Sequence, residues 1–165
     1  MNVQIERAHP EDVPKLIEVQ DLAFREEFER YGECPPYQES PAAMLELVEQ
    51  AIVYTIRVEG RTVGDIIVRD RGDGRYYLRT ISIVPELQGR GIGRTAIGLL
   101  ERDLPDAVEW TLETPEGTPK NHAFYEGLGY RRDGATPINA RLTLLHYAKT
   151  MAEPPVTTIS GEPPE

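Results

Sequence analysis

The chain has 165 residues, a net charge of -10 from 18 Lys plus Arg against 28 Asp plus Glu, and a single cysteine. That length is about one domain, large enough to bury a core without metal or disulfides. The acidity disfavours nucleic-acid backbones and anionic membranes as partners, and Cys34 alone excludes an internal disulfide. No basic-then-apolar leader opens the chain, and AIVYTI is far too short to span a bilayer, so the sequence reads as soluble and cytoplasmic.

VQIERA alternates as a strand, and His9-Pro10 breaks it before EDVPKLIEVQDLAF, where Val13, Leu16, Ile17 and Phe24 mark one helical face with Pro14 in the first turn. GECPPYQESP is a loop by composition, and PAAMLELVE predicts a second helix with Ser40 as its cap. AIVYTIRV, TVGDIIVR and RYYLRTISIV then predict an antiparallel meander turning at Glu59-Gly60 and at RGDG. The Arg71-Gly72-Asp73 tripeptide is a turn between strands and receives no adhesion role. A helix carrying Ile92, Ala96, Leu99 and Leu100 follows and ends at DLPD. In AVEWTLET, Val108, Trp110 and Leu112 alternate with Glu109, Thr111 and Glu113, giving a strand expected parallel to the one before the helix. NHAFYEGLG is a short helix, and YRRDG and ARLTLLHYAK supply two closing strands. This places one domain over 1–150, and the proline-rich 151–165 reads as a frayed tail.

Within ISIVPELQGRGIGRTAIGLL, three glycines at alternate positions stand where a helix must begin. A helix start offers unpaired N–H groups and the positive end of a dipole, and glycine lets an anion come close to them. A nucleoside-triphosphate loop is excluded, because no GK[ST] closes the run. GIGRTA matches the dinucleotide pattern G-x-G-x-x-[GA], with Glu113 about 20 residues on, but PELQ separates the turn from its strand and a meander precedes it.

Read instead as Q/R-x-x-G-x-G/A, Gln88 to Gly93 resembles the GCN5-related N-acetyltransferases (GNAT), and the resemblance extends over nearly the whole chain. It includes the strand-two-helix start, the meander, the V-P-E-x-Q-G-R-G-I-G turn, the strand ending in Leu112-Glu113, and the segment Asn121 to Tyr130. It implies an α/β acyl-CoA N-acyltransferase fold, a mixed central sheet of about seven strands flanked by about four helices. It further implies acetyl-CoA as cosubstrate, its pyrophosphate on the turn formed by Gln88, Gly89, Arg90, Gly91, Ile92, Gly93 and Arg94. The pantetheine arm would pair with the main chain of Ile81, Ser82 and Ile83, and a backbone amide near Ile83 would face the oxyanion. Arg90 and Arg94 either add charge to the phosphates or are solvated surface residues.

Acyl transfer to an amine needs a free amine, a polarised carbonyl and a proton for the departing thiolate. By the resemblance, Tyr125 is the acid; its alternative is core packing. Glu113, twelve residues earlier, matches a basic glutamate of some members; its alternative is a solvated strand end. Where many members carry asparagine, this chain has Thr118, so Asn121 either contacts the cofactor arm or caps its own helix. His9, His122 and His146 have no ligand spacing, and no metal is expected. The acceptor is a primary amine, and Glu26, Glu27, Glu29, Glu33 and Glu39 suggest a groove for a cationic one, or else a solvated helix and loop. Two other readings stay open: a non-catalytic acyl-CoA-binding module and a dinucleotide-dependent oxidoreductase.

Overall fold

In a computed structural model that describes residues 1–151, one seven-stranded mixed sheet runs in the order β1-β2-β3-β4-β5-β7-β6. The expected tail lies outside the described residues from 152 onward. The strands are β1 Val3–Arg7, β2 Ile52–Val58, β3 Arg61–Asp70, β4 Arg75–Ile83, β5 Glu109–Pro115, β6 Arg131–Asn139 and β7 Leu142–Thr150. Four helices flank them: α1 Val13–Tyr31, α2 Pro41–Gln50, α3 Ile92–Asp103 and α4 Pro119–Gly127. None of the described helices is long and apolar enough to cross a membrane.

Local chemistry sets the boundaries. The Ser40 hydroxyl accepts the Ala43 amide at 3.1 Å and caps α2. The meander closes where Glu59 and Gly60 adopt positive φ (52° and 79°), the conformation a tight two-residue hairpin demands. α1 runs seven residues beyond the expected Phe24, to Tyr31, and stops where Gly32 turns left-handed at φ 77°. Val108 falls outside β5 and is exposed at 48%, so the alternation expected there begins at Trp110.

The two sheet faces are covered separately. Tyr54, Ile56, Ile66, Val68, Leu78 and Trp110 pack in one apolar cluster with Ile92, Ala96, Ile97 and Leu100 of α3. On the other face Val53 and Ile67 pack with Val13 and Leu16 of α1 and Met44 and Leu47 of α2. The central β3 is therefore buried on both sides, which is why Asp65 to Val68 is a continuous buried run. Fully burying a side chain such as Ile66 or Leu100 contributes about 1.5–3 kcal/mol.

Candidate active site

The site begins with a break in strand pairing. β4 and β5 run parallel, as expected, but pair only at Arg75 with Glu109, Tyr76 with Trp110 and Tyr77 with Thr111. Two residues further along β4 the register against β3 shifts: Val68 faces Leu78 while Ile67 faces Thr80, leaving Arg79 as the extra residue of a bulge. A bulge bends its strand and increases its twist. Beyond it β4 stays with β3 to Ile83, and β5 follows β7 to Pro115. The sheet thus forks, and the edge of β4 from Leu78 to Ile83 has no β5 partner. An unpaired edge of this kind accepts an extended ligand through main-chain hydrogen bonds.

Ile81 and Ile83 are half-buried on the α3 side, whereas Ser82 points to the other face. There its hydroxyl accepts the Asp65 amide at 3.1 Å and donates to Asp65 Oδ1 at 2.6 Å. Ser82 is thus available to the fork through its main chain alone. Asp65 is fully buried, and burial pushes its carboxyl up to about 7, partly offset by the Ser82 hydroxyl. Gln88 folds back so that its side-chain amide donates to the Ile83 carbonyl at 2.8 Å and closes the end of β4.

The glycine turn divides by function. Gly89 and Gly91 have φ of 75° and 84°, and a Cβ at either would point into open space within 4 Å. Both serve the backbone path that brings the first amides of α3 to the open end of the fork. Gly93 is different: its Cβ would lie 3.2 Å from the Phe124 ring, so it makes room for α4. Ile92 is buried in the core. Arg90 and Arg94 are exposed, and the Arg94 guanidinium lies against Gly127 at the end of α4.

α4 seats Tyr125 in an aromatic cluster. Its ring is packed edge-on to Phe124 at 5.1 Å and Tyr130 at 5.7 Å. Burial pushes the phenol up and the Glu27 carboxylate adds to the effect, so the hydroxyl stays protonated at neutral pH. Asn121 does not cap its helix; its side-chain amide donates to Thr114 Oγ1 at 3.2 Å and ties α4 to β5. Thr118, in the helix-start position, instead shares a 2.7 Å hydrogen bond with Tyr31 of α1.

Glu113 occupies the opposite face of β5 from Leu112 and is exposed. Tyr77 donates to its Oε1 at 3.0 Å, and His146 Nδ1 lies 3.3 Å from Oε2. Burial and the Glu113 charge push the Tyr77 phenol up to about 12. These three residues line a cavity of about 360 Å³ together with Arg71, Thr111 and Asp133. The carboxylate whose charge reaches Tyr125 is Glu27, which sequence reading left among five acidic residues. Its signal was the spacing Leu16, Gln20, Glu27, Tyr31, which continues one helical face.

Those five carboxylates do not share one surface. Glu26 and Glu29 are exposed on α1, and Glu33 accepts from Asn139 at 3.1 Å. Glu39 pairs with Arg79 at 3.5 Å beside the buried Gln20. Glu27 is half-buried, with the Cys34 thiol donating to it at 3.4 Å. Burial and the Glu27 charge push that thiol up, so Cys34 is neutral rather than nucleophilic.

The chain is 29% identical over 131 residues to the uncharacterized protein YrkN of Bacillus subtilis, covering 74% of this chain and 69% of that one. The PaiA N-acetyltransferase of Thermoplasma acidophilum, solved in complex with coenzyme A, superposes with a TM-score of 0.72 at 16% identity, covering 92% of this chain and all of the other. The ribosomal-protein-S18-alanine N-acetyltransferase of Escherichia coli gives 0.74 at 18%, covering 95% and 100%. At such identities the structures establish the fold. The family model for the Acetyltransferase (GNAT) family matches residues 16–130, well over half the chain, and the protein belongs to that family.

Proposed function

We propose that the protein is an acetyl-CoA-dependent N-acetyltransferase that acts on a primary amine by direct attack. The observation that carries this reading is the juxtaposition of an unpaired β4 edge and a glycine-opened helix start at its end, with the Phe124 ring packed at Gly93 of that helix and Tyr125 stacked edge-on to Phe124. The coenzyme A bound to the structurally similar PaiA protein supports an acyl-CoA cosubstrate.

The cradle fits such a ligand: the open space at Gly89 and Gly91 leaves the α3 amides approachable by a pyrophosphate, and Gln88, Arg90, Ile92 and Arg94 complete the turn. Main-chain groups of Ile81, Ser82 and Ile83 would align the pantetheine arm, and Asn121 would steady α4 beside it. When bound, acetyl-CoA supplies the activated acyl group. The amine nitrogen bonds to the thioester carbonyl carbon as the carbon–sulfur bond breaks. Tyr125 donates its proton to the departing sulfur, and Glu113 takes the surplus amine proton through water, leaving an amide and free coenzyme A. A backbone amide near Ile83 faces the developing oxyanion. On this reading the enzyme works in the cytoplasm.

A non-catalytic acyl-CoA module would give Tyr125 nothing to do beyond packing, and an oxidoreductase would leave the β4–β5 fork unexplained. Calorimetry with coenzyme A and with NAD, followed by thiol release from acetyl-CoA over a panel of amines, tests the proposal. Tight coenzyme A binding with amine-dependent release is expected; binding without release supports the module, and preference for NAD supports the oxidoreductase.

A further inference from the structure

The last turn of α1 lies against the connection from β5 to α4. Tyr31 bonds to Thr118 at 2.7 Å, and Arg30 donates to the Gly117 carbonyl at 3.3 Å. A Cβ on Gly117 would lie 2.7 Å from the Tyr31 hydroxyl, so the two segments are in close apposition. One turn before Tyr31 on the same face stands Glu27, half-buried, and among the described residues it has no Lys, Arg or His partner. Among the described residues its one polar contact is the Cys34 thiol, a weak donor. Burial raises its carboxyl, and its charge adds to the burial that raises the Tyr125 phenol. By contrast Glu113 is already engaged by Tyr77 and His146.

A half-buried carboxylate without a counter-ion costs stability, and that cost is offset when a ligand brings the missing cation. We propose that Glu27 is the binding residue that seats the acceptor's primary ammonium beside Tyr125. The inference rests on the N-acetyltransferase reading and deepens it: the acceptor enters between α1 and α4 in its charged form, held by Glu27. Its nitrogen then lies next to the group that protonates the leaving sulfur. The other four acidic residues named above are exposed or already bonded and take no part.

The test compares wild type with Glu27→Gln, using ethanolamine, putrescine, glycinamide and Nα-acetyl-lysine as probes. Amine binding to the coenzyme A-loaded protein is measured by calorimetry, and turnover by thiol release. Glu27→Gln is expected to weaken binding of the best amine, and to raise its KM, by about 10²-fold, the scale of losing one partner of a desolvated charge pair. Coenzyme A affinity and kcat should change little, and Tm should stay level or rise, since an unpaired carboxylate is removed. A purely structural Glu27 would give the opposite split, a lower Tm with amine affinity unchanged. Amine binding and KM within about twofold of wild type would overturn the inference while leaving the N-acetyltransferase reading intact. Failure of every probe to bind wild type would also overturn it. Binding that depends on Glu27 without thiol release would uphold the seat and sink the acyl-transfer reading. Should Glu27→Gln lose its fold, Glu27→Asp, which retains the charge but withdraws it by one methylene, supplies the same comparison with a smaller loss expected.

Discussion

The two prongs of the β4–β5 fork are built by different means. On the β4 side the features that would receive an acyl-CoA are main chain: a strand edge freed by the Arg79 bulge and a turn whose Gly89 and Gly91 leave amides uncovered. Side chains there are turned away or withdrawn, Ser82 to Asp65 and Gln88 to the Ile83 carbonyl. On the β5 side, the groups suited to chemistry are side chains from separate elements, Tyr125 on α4, Glu113 on β5, Tyr77 on β4, His146 on β7 and Glu27 on α1. Main-chain recognition tolerates most substitutions and fails abruptly where backbone space is filled. Side-chain chemistry fails in proportion to the role of each group.

The sharpest way to break that contrast is at the turn. Gly91→Glu places a carboxylate where a pyrophosphate would sit, on a residue with φ of 84°, and should abolish detectable coenzyme A binding by calorimetry in protein whose circular dichroism is native-like. Retained affinity would move the phosphate site elsewhere. Tyr125→Phe comes next: kcat should fall about 10²-fold or more with coenzyme A affinity little changed, the loss expected for a general acid. Unchanged kcat, with chemistry rate-limiting, would leave Tyr125 as a packing residue among its aromatic neighbours.

Glu113→Gln should cost about tenfold in kcat/KM near neutral pH, where the amine is mostly protonated, and much less at high pH, where free amine is abundant. A pH–rate profile lowered by the same factor throughout would remove Glu113 from the role of base. The smallest effect is reserved for the layer beneath the fork. Because burial raises the folded-state pKa of Asp65 from 3.8 to about 7, the folded protein holds this proton more tightly than the unfolded chain. That contribution to stability is fully present below the unfolded pKa and is lost as pH rises toward 7. Asp65→Asn should therefore flatten the Tm–pH curve over that range and raise Tm at pH 8 by a few degrees, about 1 kcal/mol per 2–4 °C in a domain of this size, with turnover unchanged. A Tm–pH curve parallel to wild type would mean that Asp65 does not titrate there.

The contrast also governs what the sequence made legible. Strand alternation, turn residues and the glycine run each leave a local pattern, so the meander, the parallel β5 and the helix start at Ile92 were readable, and the family resemblance organised them. The bulge leaves only a faint trace in RYYLRTISI, where the apolar phase slips from Tyr76 and Leu78 to Ile81 and Ile83, and the extra residue is fixed only by the pairing with β3. The last turns of α1 are masked in the sequence because charged residues crowd around Phe28 and Tyr31, which continue the helical spacing from Phe24 but pack on Tyr37 and on the β5–α4 connection. Gly93 reads in sequence as part of the phosphate turn, and the structure adds a second reason for it, since its missing Cβ leaves room for Phe124, thirty-one positions away. Tyr125 and Glu113 stand out in the sequence only through the family's motif spacing. Glu27 shares the helical face of Leu16, Gln20 and Tyr31, but what sets it apart from the neighbouring glutamates, the lack of a cation around it among the described residues, shows only in three dimensions.

The central claim is that the fork delivers an acetyl group from acetyl-CoA to an amine. Following free coenzyme A and acetylated amine together in one reaction, with wild type and Tyr125→Phe side by side, tests it most directly. The two products of the wild type should rise in equal amounts, both should need amine, and both should be strongly slowed in the variant. Thiol release that proceeds without amine, or that yields no acetylated amine, would contradict it.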